Sequence, residues 1–188
     1  MPLCIFAAPS IIRAMTRRLL VLFSLAIGSA WAASPAPTVT PSPTPPCVAP
    51  EFRQFDFWFG HWNVIGPKGK QVGTSEVSPA SEGCAIREQW TGGDGKSGMS
   101  LNYYDAAEGQ WHQDWVGADD TILHLHSRIK DGAMVMNGSI KGSKGTYLNR
   151  ITWTPLPAGK VKQEWAISTD DGATWKTSFV GIYEKQKG

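Results

Sequence analysis

The stretch FDFWFGHWNV, residues 55–64, places five Phe or Trp side chains in ten positions. Aromatic residues recur at helix-like spacing across residues 50–59, which is typical of one or two helical turns. Gly60 can adopt backbone conformations that allow a sharp turn into a following strand. Trp62 and Val64 then share one face of that strand, because successive side chains alternate between faces. The stretch therefore predicts a short helical turn that closes one end of a β-barrel.

The residues that follow alternate between apolar and polar with a period of two, as in GQWHQDWV, YLNRITWT and KVKQEWAIS. Turn residues separate these runs, including Asp-Gly pairs at 131–132 and 171–172, which are strong hairpin signals. No window keeps a 3.6-residue apolar period long enough for a major helix. We count about ten short strands, and a twisted sheet of that size tends to curl and close. The predicted fold is all-β: a single antiparallel up-and-down barrel of about 8–10 strands.

Residues 1–32 have the composition of a secretory signal peptide. Three arginines precede an apolar run at 19–27, and Ala-Trp-Ala at 30–32 matches a cleavage signal. We expect cleavage after Ala32 and a secreted or periplasmic protein, with a start at Met15 or an uncleaved anchor as alternatives. The apolar run is too short for a resident transmembrane helix, so no membrane span is expected after cleavage.

Residues 33–50 are predicted to be a linker, since seven prolines and no charged residue occur between 34 and 50. Such a composition favours extended polyproline conformations. The remainder, residues 51–188, has the length of one domain. Two cysteines remain after the predicted cleavage, Cys47 and Cys84, and such a pair in an exported chain predicts a disulfide. The pair lacks the C-x-x-C spacing of a redox or metal site.

The charge balance bears on the kind of partner. The chain has 18 Lys and Arg against 16 Asp and Glu, a formal net charge of +2. Removing the three arginines of the predicted signal leaves 15 against 16, or −1. A nearly neutral domain without a basic stripe argues against nucleic acid as the partner.

A family resemblance rests on several motifs. Gly60-His61-Trp62, at the start of the first predicted strand, resembles the first signature of the lipocalin and calycin group. A longer set of motifs resembles a family of uncharacterised secreted bacterial domains that open FDFW-x-G-x-W: FDFWFGHWNV, GCAIREQW, SGMSLNYYD, WHQDWV and DGATW. This resemblance covers nearly all of residues 51–183. It implies a calycin-like barrel and secretion, and it carries no established activity.

The stretch STDDGATW, residues 168–175, matches the Asp-box pattern S-x-D-x-G-x-T-W. It resembles the hairpins of sialidases and other propellers, but one copy cannot build a propeller. We expect Asp170, Gly172 and Trp175 to stabilise a hairpin. The chain has no G-x-S-x-G, phosphate-binding loop or H-E-x-x-H motif.

The four histidines suggest a metal site only if they converge, since zinc needs three or four ligands at bonding distance. His124 and His126 share one strand face, and His112 can lie on the neighbouring strand. However, Leu123 and Leu125 on the opposite face are better candidates for the core. The histidines are therefore expected to point outward, and neither a metal ion nor another cofactor is expected.

Five predicted strands carry one polar residue between bulky apolar residues on the same face: Ile86-Glu88-Trp90, Trp111-Gln113-Trp115, Tyr147-Asn149-Ile151, Val161-Gln163-Trp165 and Trp175-Thr177-Phe179. If these faces point inward, the polar groups lie near mid-height in the barrel. One interpretation is a self-satisfied network, with trapped water or Arg87, Arg128 or Arg150 as partners. The other is a cavity with aromatic walls and a few converging polar groups.

Three classes of function follow. The first is a module that binds a small hydrophobic or amphipathic ligand. Its candidate cavity residues are Trp62, Glu88, Trp90, Tyr103, Trp111, Gln113, Trp115, Asn149, Gln163, Trp165 and Thr177. The second is an enzyme that uses Glu88 as a general acid or base, with a histidine or Tyr103 as partner. The third is a surface interaction protein that uses His61, His112 and Tyr104.

Overall fold

The computed structural model describes residues 46–127, 129–142 and 145–187. The predicted signal peptide and most of the predicted linker lie outside these residues. Within them, strands dominate, and every strand pairing is antiparallel. None of the helices in the described ranges is long and apolar enough to cross a bilayer.

The described residues form eleven β-strands. They are β1 (Gly60–Ile65), β2 (Gln71–Ala80), β3 (Ala85–Gly92), β4 (Ser97–Asp105), β5 (Gln110–Gly117), β6 (Ile122–Ser127), β7 (Ile129–Lys130), β8 (Ala133–Gly142), β9 (Gly145–Pro155), β10 (Val161–Ser168) and β11 (Lys176–Lys185). Short 3-10 helices lie at Pro50–Arg53, Asp56–Trp58, Ser81–Gly83 and Pro157–Gly159.

The sheet closes on itself. Successive strands pair from β1 to β6 and from β7 to β11, and β1 pairs with β11. Closure is completed where β6 pairs with β8 through His126 and Asn137. The two-residue β7 pairs with β8 beside this junction, so ten strands form the wall. The predicted all-β, antiparallel, up-and-down barrel is therefore confirmed.

The two ends of the barrel differ. The N-terminal 3-10 helices lie at one end, together with the β2–β3, β4–β5 and β9–β10 connections, and we call it the closed end. The β1–β2, β3–β4, β5–β6 and β10–β11 turns lie at the other end, which we call the open end. Because the strands alternate in direction, residues near the start of odd-numbered strands β1, β3 and β5 lie towards the closed end.

The aromatic stretch fills the closed end. Phe55 and Trp58 are fully buried and stack with ring centroids 4.9 Å apart. Phe55 also packs edge-on against Trp153 at 5.3 Å, and the Trp62 indole N–H donates a 3.0 Å hydrogen bond to the carbonyl of Trp58. Gly60 has a φ of +147°, a conformation that glycine tolerates best. The predicted helical turn therefore does close one end.

A disulfide fastens this segment to the wall. Cys47 and Cys84 are bonded with their Cα atoms 5.1 Å apart, which confirms the predicted pair. The Arg53 guanidinium also donates a hydrogen bond to the carbonyl of Gly83, next to Cys84. The chain on either side of the aromatic residues is thus held at the closed end: by the disulfide before them and by β1 after them.

Removing the disulfide should weaken this closure. The bond closes a loop with a sequence separation of 37 residues, so we expect the Cys47→Ser, Cys84→Ser double variant to lose about 4 kcal/mol of unfolding free energy. Urea denaturation followed by tryptophan fluorescence measures the loss. The unaltered protein with a reductant should show the same loss. Equal stability with and without the bond would contradict the role given to it.

Candidate functional site

The carboxyl group of Glu88, on β3, lies buried near mid-height in the barrel. The Ser75 hydroxyl of β2 donates to its Oε1 and the Ser100 hydroxyl of β4 donates to its Oε2, both at 3.0 Å. Residues 75 and 100 lie on strands that flank β3, and the alternation of each strand turns these side chains inward. Two neighbouring strands thus hold the carboxyl in one orientation.

A chain of hydrogen bonds extends from this carboxyl across the sheet. Asn102 donates to the Ser100 hydroxyl at 3.0 Å, and its amide oxygen accepts from Gln113 at 2.8 Å. On the other side, the Tyr183 hydroxyl donates to the side-chain oxygen of Gln163. Together these side chains form a polar layer across the interior. We call this layer the floor, because packed aromatic residues lie on its closed-end side and a cavity lies on the other.

Burial changes the protonation of the floor. Loss of solvent raises the pKa of Glu88 from 4.5 to about 7, although the hydrogen bonds from Ser75 and Ser100 and the nearby Tyr183 hydroxyl act in the opposite direction. Burial, followed by the charge of Glu88, raises the pKa of Tyr183 well above its ordinary value. Near neutral pH, Glu88 is therefore partly protonated and partly ionised, while Tyr183 stays protonated and can donate a hydrogen bond.

The cavity has a volume of about 290 Å³ and lies between the floor and the open end. Its walls carry the indoles of Trp90, Trp115 and Trp165 and the ring of Phe179. Trp90 and Phe179 meet edge to face, with ring centroids 6.0 Å apart. These surfaces are apolar and face Glu88, so the cavity combines a broad aromatic wall with a localised polar group.

Glycines leave room for two of these indoles. A Cβ atom at Gly98 would lie 2.4 Å from the Trp115 ring, and one at Gly73 would lie 2.5 Å from the Trp90 ring. Such distances are shorter than the non-bonded contacts that real Cβ atoms make, so each indole lies against the bare backbone of a neighbouring strand. Because the rings lie along the wall, they do not fill the interior above the floor.

The open end adds polar groups to the mouth. Asp119 and Thr121 lie in the β5–β6 connection, and Ser178 lies near the start of β11. Hydrogen bonds from Thr121 lower the pKa of Asp119, so this carboxylate is charged at neutral pH. Glu88 and Asp119 are the charged or chargeable carboxyls of the cavity.

Six of the predicted cavity residues do line the cavity: Glu88, Trp90, Gln113, Trp115, Gln163 and Trp165. Trp62 and Trp111 face inward but lie lower, among the packed aromatics of the closed end. Trp111 donates to the Gln54 side chain at 3.2 Å and packs on Phe55. Asn149 is buried beside the wall, where its oxygen accepts from the Trp165 indole at 2.9 Å.

Two predictions are wrong about the strand face. Tyr103 points outward and stacks on His112 with centroids 5.2 Å apart, whereas its neighbour Tyr104 packs inward near Phe52. Tyr104 is therefore no outward interaction residue. Thr177 is exposed because a β-bulge between β10 and β11 shifts the register, and Ser178 lines the cavity instead.

The sequence analysis missed Tyr183, Ser75, Ser100 and Asn102. A signal for Tyr183 exists, since Phe179, Gly181 and Tyr183 share one face of β11 by simple alternation. No such sequence signal exists for Ser75, Ser100 and Asn102, because small polar side chains do not indicate which face of a strand is buried. Two of the arginines proposed as partners of the polar layer lie away from the floor. Arg87 pairs with Glu76 at 3.8 Å, and Arg150 lies over the Trp175 ring. The third, Arg128, lies outside the described residues.

The histidines point away from the cavity, as expected from the burial of Leu123 and Leu125. His124 contacts Asp114 at 2.6 Å, and His126 contacts Gln110 at 3.2 Å, on the outer surface.

A separate acidic cluster lies at the β4–β5 turn, where Asp105, Glu108 and His112 place possible ligand atoms within 4.8 Å of one another. Asp105 accepts from the backbone N–H groups of Ala107 and Glu108, at 2.8 and 3.2 Å. Such bonds are typical of a side chain that stabilises its own turn. We therefore assign this cluster to the turn.

The Asp-box forms the β10–β11 hairpin turn. Asp170 accepts from the backbone N–H and the hydroxyl of Thr174, at 2.9 and 2.6 Å. These bonds lower the pKa of Asp170 to about 2. The Trp175 indole donates to the carbonyl of Gly172 at 3.1 Å. The motif therefore stabilises a hairpin at the open end, next to the bulge that brings Ser178 to the mouth.

The described residues define a closed antiparallel barrel that is filled at one end and contains a cavity towards the other. No model of a known protein family matches the chain, and no curated protein is similar to it. The resemblance to calycins and to the FDFW-x-G-x-W family therefore stays a prediction.

The raised pKa of Glu88 predicts an unusual dependence of stability on pH. Between about pH 4.5 and about pH 7 the folded protein holds a proton that the unfolded chain has released, so the unfolding free energy falls as the pH rises. For a pKa that is raised from 4.5 to about 7, the unfolding free energy falls by about 3 kcal/mol in total. Above about pH 7, Glu88 causes no further change.

The Glu88→Gln variant should lack this fall, because the amide does not titrate. Urea unfolding at several pH values across this window, for the unaltered protein and the variant, measures the difference. Glu76→Gln, on the outer face of β2, is the matched control and should keep the fall. Parallel curves for Glu88→Gln and the unaltered protein would show that Glu88 has an ordinary pKa.

Proposed function

We propose that this protein binds a small, partly apolar molecule inside the barrel, with the apolar part against the indoles and a polar group on the floor. The observation that carries the proposal is the cavity of about 290 Å³ between Glu88 and the open end. Small-molecule sites usually combine apolar walls with a few placed polar groups, and this volume is near the lower limit of their range.

The organisation of the interior supports a site over a packing defect. The closed half is filled with aromatic residues, and its polar neighbours on the floor hydrogen-bond to one another. The cavity lies above that layer, where Trp90 and Trp115 rest on glycines and remain partly exposed. Partly exposed indoles supply the large apolar contact area that drives binding from water.

The compartment belongs to the same proposal. A disulfide such as Cys47–Cys84 persists in oxidising surroundings. Together with the signal-like composition of residues 1–32, this supports export to the periplasm or the exterior. The protein would then act as a carrier or sensor of a small molecule there, consistent with the predicted resemblance to secreted calycin-like domains.

A second candidate is acid–base catalysis by Glu88, which one observation favours: its pKa of about 7 suits proton transfer near neutrality. The partners suggested by the sequence do not support it, since the histidines and Tyr103 lie outside the cavity. Turnover that is lost in Glu88→Gln, with folding intact, would establish this alternative over simple binding.

The binding proposal predicts that filling part of the cavity weakens binding. In Gly98→Ala the added Cβ would displace the Trp115 ring, and we expect affinity for apolar probes to fall at least about tenfold. The measurement is quenching or shift of tryptophan fluorescence on titration with toluene, 1-hexanol, 2-phenylethanol and 2-phenylethylamine.

Met99→Ala is the matched control, because Met99 is the next residue on β4 and its side chain is exposed. This variant should bind as the unaltered protein does. Urea unfolding of both variants checks that each is folded under the assay conditions. No response of the unaltered protein to any of the four probes at millimolar concentration would refute the binding proposal.

A further inference from the structure

We propose that the ligand is a small organic cation, an amine with an aromatic or aliphatic body, whose ammonium group binds the Glu88 carboxylate. This inference rests on the proposed binding function and names its substrate class. It is carried by the charges, hydrogen-bonding capacity and ring chemistry of the cavity, taken in turn below.

The charges that line the cavity are of one sign. Among the described residues, its lining contains the carboxyls of Glu88 and Asp119 and no lysine, arginine or histidine. The nearby Lys96 acts on Asp119 by lowering its pKa, but it does not line the cavity. An anionic ligand would meet the exposed Asp119 carboxylate at the mouth and the buried Glu88 carboxyl inside, with no counter-charge in the lining, which is unfavourable.

The Glu88 carboxylate has capacity for another donor. A carboxylate offers about four acceptor positions, and Ser75 and Ser100 each occupy one on a different oxygen. The two serines fix the orientation of the group without neutralising its charge. An ammonium at this place would supply both the missing hydrogen bonds and the missing positive charge, which makes a buried carboxylate favourable.

The walls suit a cation as well as an apolar body. Indole faces attract ammonium groups more strongly than the other aromatic side chains do, and Trp90, Trp115 and Trp165 all line this space. The Asp119 carboxylate at the mouth adds a second attraction for a cation entering from solvent. A neutral alcohol would gain the wall contacts but not the charge pairing.

This arrangement links binding to the protonation of Glu88. The elements that pack against it contribute Ser75 from β2, Ser100 from β4, Gln113 from β5, Gln163 from β10 and Tyr183 from β11. Of these, only Tyr183 titrates, and its pKa lies well above 10. Glu88 alone therefore changes charge near neutrality, and the affinity for a cation should rise with pH through about 7.

The test compares three matched probes: 2-phenylethylamine, 2-phenylethanol and 3-phenylpropanoate, measured by calorimetry and ligand-observed NMR. We expect the amine to bind at least about tenfold more tightly than the alcohol at about pH 8, and the carboxylate to bind most weakly. Between about pH 6 and about pH 8 the affinity for the amine should rise about tenfold, as the fraction of charged Glu88 rises. The alcohol should show no such rise.

Glu88→Gln should remove both the preference for the amine and its dependence on pH, whereas Glu76→Gln should keep them. The probe series on the unaltered protein decides the matter even if Glu88→Gln does not fold. Equal or tighter binding of the alcohol or the carboxylate would overturn the cation assignment and leave the binding function standing. Absence of binding by all three probes would overturn the cation assignment, and the binding function itself would be refuted if toluene and 1-hexanol also failed to bind.

Discussion

The packing of Phe55 and Trp58 into one end of the barrel is the constraint on which the rest of the structure depends. A ten-stranded sheet that closes on itself encloses more space than its wall residues alone fill at that end. The aromatic segment occupies this space, and the disulfide and the start of β1 hold it there. Because one end is filled, the cavity lies beyond the floor and faces the open end.

The floor separates two kinds of interior. Below it, rings pack against rings, and burial of apolar surface stabilises the fold. At the floor, Glu88 is buried in a network that orients it while its pKa stays near neutrality. Above it, indoles line the wall and leave space. Thus the side chains of the polar layer hydrogen-bond largely to one another, and the same layer borders the cavity.

Much of this arrangement could be predicted from the sequence, because alternation with large side chains marks a strand face clearly. The inward faces of β3, β5 and β10 were correct, and so was the helical turn before Gly60. The height of a residue along the barrel axis was harder to predict than its face, because height depends on strand register. Trp62 and Trp111 face inward, as predicted, but lie at the filled end. The face of β4 was misjudged because Tyr103 and Tyr104 are adjacent and similar. Thr177 was assigned to the wrong face because a β-bulge interrupts the two-residue alternation of β11. No local sequence pattern indicates this bulge.

The position of the cavity at the open end has a consequence for the selectivity of the proposed binding. A molecule that enters a tube closed at its far end can do so in only two orientations, and only one of them brings its polar group to the floor. In the proposed binding mode, the group that reaches Glu88 must therefore fit closely, whereas the part that extends past Asp119 and Thr121 meets solvent and few constraints. Such a protein would discriminate strictly between head groups and tolerate many tails, so it would recognise a chemical class rather than one compound.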